Sequence, residues 1–92
     1  MANKKMWYLY IADFVGNEED WLFEDRTEAY KSFSLILHKE LVNDEIKNKD
    51  GELIDMDGKT FGECLEKGVA ETRMYHFEVR ECEVTTMRQF MW

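Results

Sequence analysis

The sequence has no proline, and no apolar run in it approaches the roughly 18–20 residues that a membrane span requires. Its start, Met1-Ala2-Asn3-Lys4-Lys5 followed by Met6-Trp7-Tyr8, holds neither the apolar core nor the cleavage site of a signal peptide. A cytoplasmic chain, neither exported nor membrane-bound, is expected. The two cysteines, Cys64 and Cys82, stand 18 apart without a CxxC, so reduced and packed thiols are expected rather than a disulfide. Missing too are the GxSxG elbow, the Walker lysine motif, HExxH and the glycine-rich dinucleotide turn. No catalytic residue and no cofactor is implied, and a non-enzyme is expected. Basic residues are scarce, 12 Lys and Arg against 20 Asp and Glu, for a net charge of −8. That balance argues against direct binding to DNA or RNA, whose phosphates it would repel, and favours basic or amphipathic partners.

What is present excludes disorder. Three Trp, four Tyr and six Phe in 92 residues are far more large apolar groups than a disordered acidic chain carries. The length fits one domain spanning residues 1–92. The charge excess is local. Glu18, Glu19, Asp20, Glu24, Asp25 and Glu28 face Arg26 alone, and Glu52, Asp55 and Asp57 meet no base within 51–58. The long central segment 29–50 is neutral, four acids against four lysines.

Periodicity orders the elements as β-β-α-loop-α-β. Lys5 to Val15 carries apolar residues on both parities, which predicts a central strand covered on both faces for part of its length. Gly16-Asn17 is a turn signal, and Trp21-Leu22-Phe23 completes a hairpin with an acidic tip. Asp25 or Thr27 caps a helix over about 28–47, whose stripe is Tyr30, Phe33, Leu37 and Leu41, widened by Ala29 and Ile36. Two Asp-Gly turns, Asp50-Gly51 and Asp57-Gly58, mark a small hairpin or an ordered loop. Thr60-Phe61-Gly62-Glu63 has capping-box spacing and opens a two-turn helix that Gly68 stops. Val69 to Val84 reads as one long strand, with a bulge near Arg80-Glu81 to explain the change of apolar parity. The fold class is α+β: a small antiparallel sheet, the N-terminal hairpin plus the long C-terminal strand, packed against one long helix with a second short one.

Candidate chemistry is thin. Asp55-Met56-Asp57-Gly58 resembles part of an EF-hand, but the glycine position would put the first ligand on Leu53 and the twelfth on Cys64. His76, Glu78 and Cys82 share one strand without the convergent set zinc needs, so no metal is expected. Cys64 with His38 or His76 could be drawn as nucleophile and base, yet Cys64 lies on the apolar side of its helix and reads as a packed thiol. The C-terminal Met87, Phe90, Met91 and Trp92 either close one end of the core or form a contact with a second copy or a partner.

The acidic clusters carry the functional expectation. They serve solubility, or they imitate nucleic-acid phosphates and occupy a basic groove; alternate strand residues such as Glu81 and Glu83 stand about 6.8 Å apart, a plausible phosphate step. In length, acidity, lack of enzymatic motifs and the order of hairpin, helix opened at Asp25-Arg26-Thr27-Glu28-Ala29, and late acidic strand, the chain resembles the small acidic early proteins of bacteriophages. These include DNA-mimic anti-restriction proteins of the Arn type. The resemblance is one of profile and assigns no residue role. It implies a stoichiometric inhibitor of a host nuclease, often a dimer, acting in the host cytoplasm. The expected partner-binding surface is Glu18, Glu19, Asp20, Glu24, Asp25 and Glu28, extended by Glu52, Asp55 and Asp57. The expected partner is a basic nucleic-acid-binding protein of the nuclease class. The rival expectation is a protein-interaction module that docks through its apolar tail or a sheet edge.

Overall fold

A computed structural model describes residues 3–85 of the chain, with side chains from Lys5 to Glu83. Strand β1 (Asn3–Asp13) turns back into β2 (Glu18–Phe23), and helix α1 (Arg26–Asp44) follows. A connecting segment leads to α2 (Phe61–Lys67), and β3 (Val69–Glu71) and β4 (Tyr75–Thr85) complete the sheet. The order across the sheet is β2-β1-β4-β3, antiparallel throughout. The architecture is α+β, as the sequence predicts, and no described helix is long and apolar enough to cross a membrane.

The helix forms where its stripe predicts. Asp25 is the N-cap, its carboxylate accepting from the Thr27 amide at 2.9 Å. Glu45, left-handed at φ 54°, ends the helix three residues earlier than the sequence suggests, so Lys47 lies beyond its last turn. Ala29, Phe33, Leu37 and Leu41 are buried against Leu9 and Ile11 of β1 and Phe77 and Val79 of β4. The Phe33 and Phe77 rings meet at 5.9 Å, and Tyr30 links Phe33 to Trp7 at 6.1 and 6.2 Å. Arg26 lies over the Tyr30 ring at 4.5 Å and over Trp7 at 5.5 Å, so the one base of the acidic stretch is held on the helix side.

Three expectations change. The segment 69–84 is a hairpin, not one strand. Its turn has no Gly, Pro, Asn or Asp signal; the buried Thr72 hydroxyl makes it, accepting from the Tyr75 amide at 3.1 Å and donating to the Tyr75 carbonyl at 3.2 Å. There is no bulge at Arg80-Glu81: β1 and β4 pair without interruption from Asn3↔Thr85 to Asp13↔Tyr75. Nor do the described residues cover β1 on both faces. Among the described residues both helices pack on the side of Leu9 and Phe77, and the side of Tyr8, Tyr10, His76 and Glu78 carries no second layer. The second parity holds Met6, Tyr8, Tyr10 and Ala12, all half-buried, and the exposed Phe14 just beyond the strand; the Tyr8 and Tyr10 rings stack on one another.

The segment 48–59 is an ordered loop with isolated bridges Lys47↔Leu53 and Ile54↔Thr60. The Thr60–Glu63 capping box forms, and Gly68 ends α2 at φ 70°. A β-carbon at Gly68 would stand 2.8 Å from the Val79 carbonyl oxygen and 3.1 Å from the Tyr30 hydroxyl. Left-handed strain and this clash act together, so Gly68→Ala should destabilise the fold by about 2–3 kcal/mol in urea unfolding. Gly62→Ala, inside α2 with nothing within 4 Å of its β-carbon, should not.

Candidate functional site

The uncovered face of the sheet is organised in rungs. Glu18, Ala12, His76 and Glu71 form one, running from β2 through β1 and β4 to β3. Asp20, Tyr10, Glu78 and Val69 form the next, and Leu22, Tyr8 and Arg80 the third. Period-2 alternation puts all of these side chains on the same side. The carboxylates Glu18 and Asp20 thus stand on one edge strand, Glu71 on the other about 14 Å away across three strand spacings, and Glu78 on β4 one spacing nearer.

Tyrosines tie the β2 acids down. Each leans one rung toward the β1–β2 turn: the Tyr10 hydroxyl donates to Glu18 at 2.5 Å and the Tyr8 hydroxyl to Asp20 at 3.1 Å. The two rings stack at 6.3 Å. The hydrogen bond to Glu18, with desolvation added, pushes Tyr10 up to about 12. Desolvation and then the Asp20 bond raise Tyr8. On the other side His76 hydrogen-bonds Glu71 through Nδ1, faces Glu78 through Nε2 at 3.5 Å, and meets the Tyr10 ring edge-on at 6.2 Å. Arg80 reaches Glu78 at 3.5 Å. The face is a fixed array of carboxylates and phenols, with Arg80 and the imidazole beside Glu78.

The remaining acids of the expected surface point elsewhere. Glu19, one residue out of phase, faces the helix side beside Trp21. Glu24, Asp25 and Glu28 stand exposed where β2 gives way to α1, and Asp25 is engaged in its cap. Glu52 and Asp57 lie in the loop packed beside β3, at the opposite edge of the sheet from β2, and Asp57 meets Lys59 at 3.4 Å. The mid-chain acids therefore do not extend the β2 surface.

Asp55, expected on that surface, is buried, with 1% of its area exposed. The backbone chemistry explains why. Its carboxylate accepts from the amides of Asp57, Lys59 and Glu71 at 2.8–3.0 Å and pairs with the Lys59 ammonium at 2.9 Å. It closes the loop and fastens it to β3. Burial pushes this carboxyl up, but the Glu71 amide and then Lys59 outweigh it and hold it below the usual range. Cys64 packs beside it at 3.7 Å, and desolvation followed by the Asp55 charge pushes the thiol up to about 12. Cys64 is on the helix side of the sheet and His76 on the uncovered side, while His38 rests edge-on against Phe61 at 5.8 Å. These groups do not converge. Met87, Phe90, Met91 and Trp92 lie outside the described residues.

Sequence reasoning missed Tyr8, Tyr10, Glu71 and Glu78 as members of one surface. Their alternation was visible, but their meeting depends on the β1–β4 register. No family model matches the chain, and no curated protein or solved structure is significantly similar to it.

Two outcomes are expected. Asp55→Asn should lower stability by about 2–4 kcal/mol at neutral pH, because it removes the counter-charge of a largely buried lysine. Asp55 is held low in the fold, so its contribution is present above the ordinary carboxylate range and fades as pH falls through the lower native value. The gap between wild type and variant in urea unfolding should accordingly narrow below about pH 4. In ultraviolet phenolate titration one tyrosine should ionise near 12, and Glu18→Gln should move it back toward 10.

Proposed function

We propose that the chain is a non-enzymatic acidic inhibitor that occupies the basic surface of a nucleic-acid-handling protein, its carboxylates standing in for phosphates. The observation that carries this reading is the uncovered sheet face, where Glu18 and Asp20 are fixed by the Tyr10 and Tyr8 hydroxyls and share a side with Glu71 and Glu78. A phosphate imitation needs charges at set positions, because a partner groove evolved for a stiff duplex loses affinity for each charge it must order. Acids on strands meet that need better than acids on loops. Glu18 and Asp20 are about 6.8 Å apart along the strand. Glu24, Asp25 and Glu28 continue the negative field beyond the end of β2.

The magnitude favours two copies. Ten base pairs carry about twenty charges over about 34 Å. One chain, at a net −8, supplies less than half of that, whereas a pair supplies most of it. A second reading, an interaction module with acids serving solubility, is favoured by exposed Trp21 and Leu22 on an edge strand.

Salt and charge reversal separate the two. The purified chain should capture a basic DNA- or RNA-binding protein from bacterial lysate at low salt, in competition with duplex DNA. Capture should fall steeply as salt rises. Joint replacement of Glu18, Asp20, Glu71 and Glu78 by Gln should abolish it while circular dichroism stays unchanged. Undiminished capture by that variant, or capture indifferent to salt, would favour the module.

A further inference from the structure

We propose that the outer edge of β2, with the cleft between β2 and α1, is a strand-addition site for an extended segment of the partner, apolar on one face and basic on the other. The two edges of the sheet are treated differently. At β3 the loop closes the edge: the Met56 amide donates to the Glu71 carbonyl at 2.7 Å and Asp55 takes the Glu71 amide at 3.0 Å. At β2 no described element adds a further strand. The Asp13 amide donates to the Asn17 carbonyl, so residue pairs 13–17, 11–19 and 9–21 face each other through hydrogen bonds. By alternation the N–H and C=O groups of Glu18, Asp20 and Leu22 point away from β1. Such an edge is a template for another strand unless charged side chains, proline or a bulge blunt it. β2 has no proline or bulge, and its charges, Glu18, Glu19 and Asp20, are all negative, so they repel a like strand but not a basic one.

The side chains define the occupant. On the helix side a cleft of about 350 Å³ runs along β2, lined by Trp21, Leu35 and Ile36 together with the charged Glu19, Lys39 and Glu40, and a smaller pocket of about 140 Å³ adds Phe23. Leu35 is 66% exposed and Trp21 40%. A strand laid against β2 would send every second side chain onto them, and apolar residues fit there. The intervening side chains would emerge beside Glu18 and Asp20, where lysine or arginine fits. A second copy of β2 would instead bring Glu18, Glu19 and Asp20 of both chains together, which like-charge repulsion opposes. Main-chain hydrogen bonds would give affinity, and the alternating pockets specificity. The inference rests on the reading of a basic partner and adds to the carboxylate face a second contact at the β2 edge.

The test uses the full chain, labelled with nitrogen-15, and an eight-residue peptide alternating Lys with Val or Leu. The expected result is saturable binding with amide shifts centred on Glu18, Asp20 and Leu22. An analogue N-methylated on the amides that face β2 should bind at least about tenfold more weakly, having lost its donors. Leu35→Asp should weaken binding by a similar factor with the fold intact by circular dichroism. Replacing Glu71 and Glu78 by Gln should leave peptide binding within about twofold, although it weakens capture of a phosphate-binding partner. Equal affinity for the methylated peptide would overturn the proposal, as would shifts centred on Tyr8, Tyr10 and Glu78, no binding at all, or protection of the Glu18, Asp20 and Leu22 amides from hydrogen exchange in the peptide-free chain that rises with its concentration, which would place a second copy on β2. If the peptide fails while lysate capture remains salt-sensitive and needs the carboxylates, the edge is excluded and the face reading stands.

Discussion

The uninterrupted pairing of β1 with β4 determines the rest of the molecule. Eleven residue pairs in constant register allow a single assignment of sides: Leu9, Ile11, Phe77 and Val79 to the helices, Tyr8, Tyr10, His76 and Glu78 to solvent. A slip of one residue would carry the acids and His76 under α1 and bring Phe77 into water. Phe33 enforces the register, because it is wholly buried against Phe77 and could not pack against Glu78 or His76. The same pairing gathers the rungs of the uncovered face, which no local segment could form alone.

Much of this is legible in the sequence. Of the helical stripe Tyr30, Phe33, Leu37 and Leu41, the last three are buried together with the flanking Ala29, while Tyr30 is half-buried, and Asp25, Thr60 and Gly68 sit at the ends they announce. Each of these signals is local, a cap or a period within one element. The misreadings share a different cause. The turn at 72–74 is made by a threonine hydroxyl, a residue with little turn signal of its own. The supposed bulge came from expecting an apolar parity to mean burial, whereas the uncovered side of this sheet is lined by Tyr8, Tyr10, Met6 and Cys82 and needs no parity change.

The site was less legible than the fold. Counting acids along the chain grouped Glu18 with Glu19, although neighbours on a strand face opposite ways. Counting also joined Asp55 and Asp57 to a surface from which the width of the sheet separates them. Asp55 shows the limit most clearly. Its charge reads as a surface feature in the sequence, while in the fold three amides and an ammonium enclose it and make it a structural clasp. The carboxylates that do share a face come from β2, β3 and β4, and only the strand order brings them together.

The placement of β4 beside β1 has a consequence for how the chain reaches its fold. The two central strands are separated by all of β2, α1, α2 and β3, so their ladder closes a loop of some sixty residues at its shortest. Local pieces, the first hairpin and the capped helix, can form early, but the core they share is incomplete until β4 arrives. Such a high contact order implies slow folding for a domain of this size, and a chain emerging from the ribosome would hold Leu9, Phe33 and Leu37 without their cover until its last strand was free.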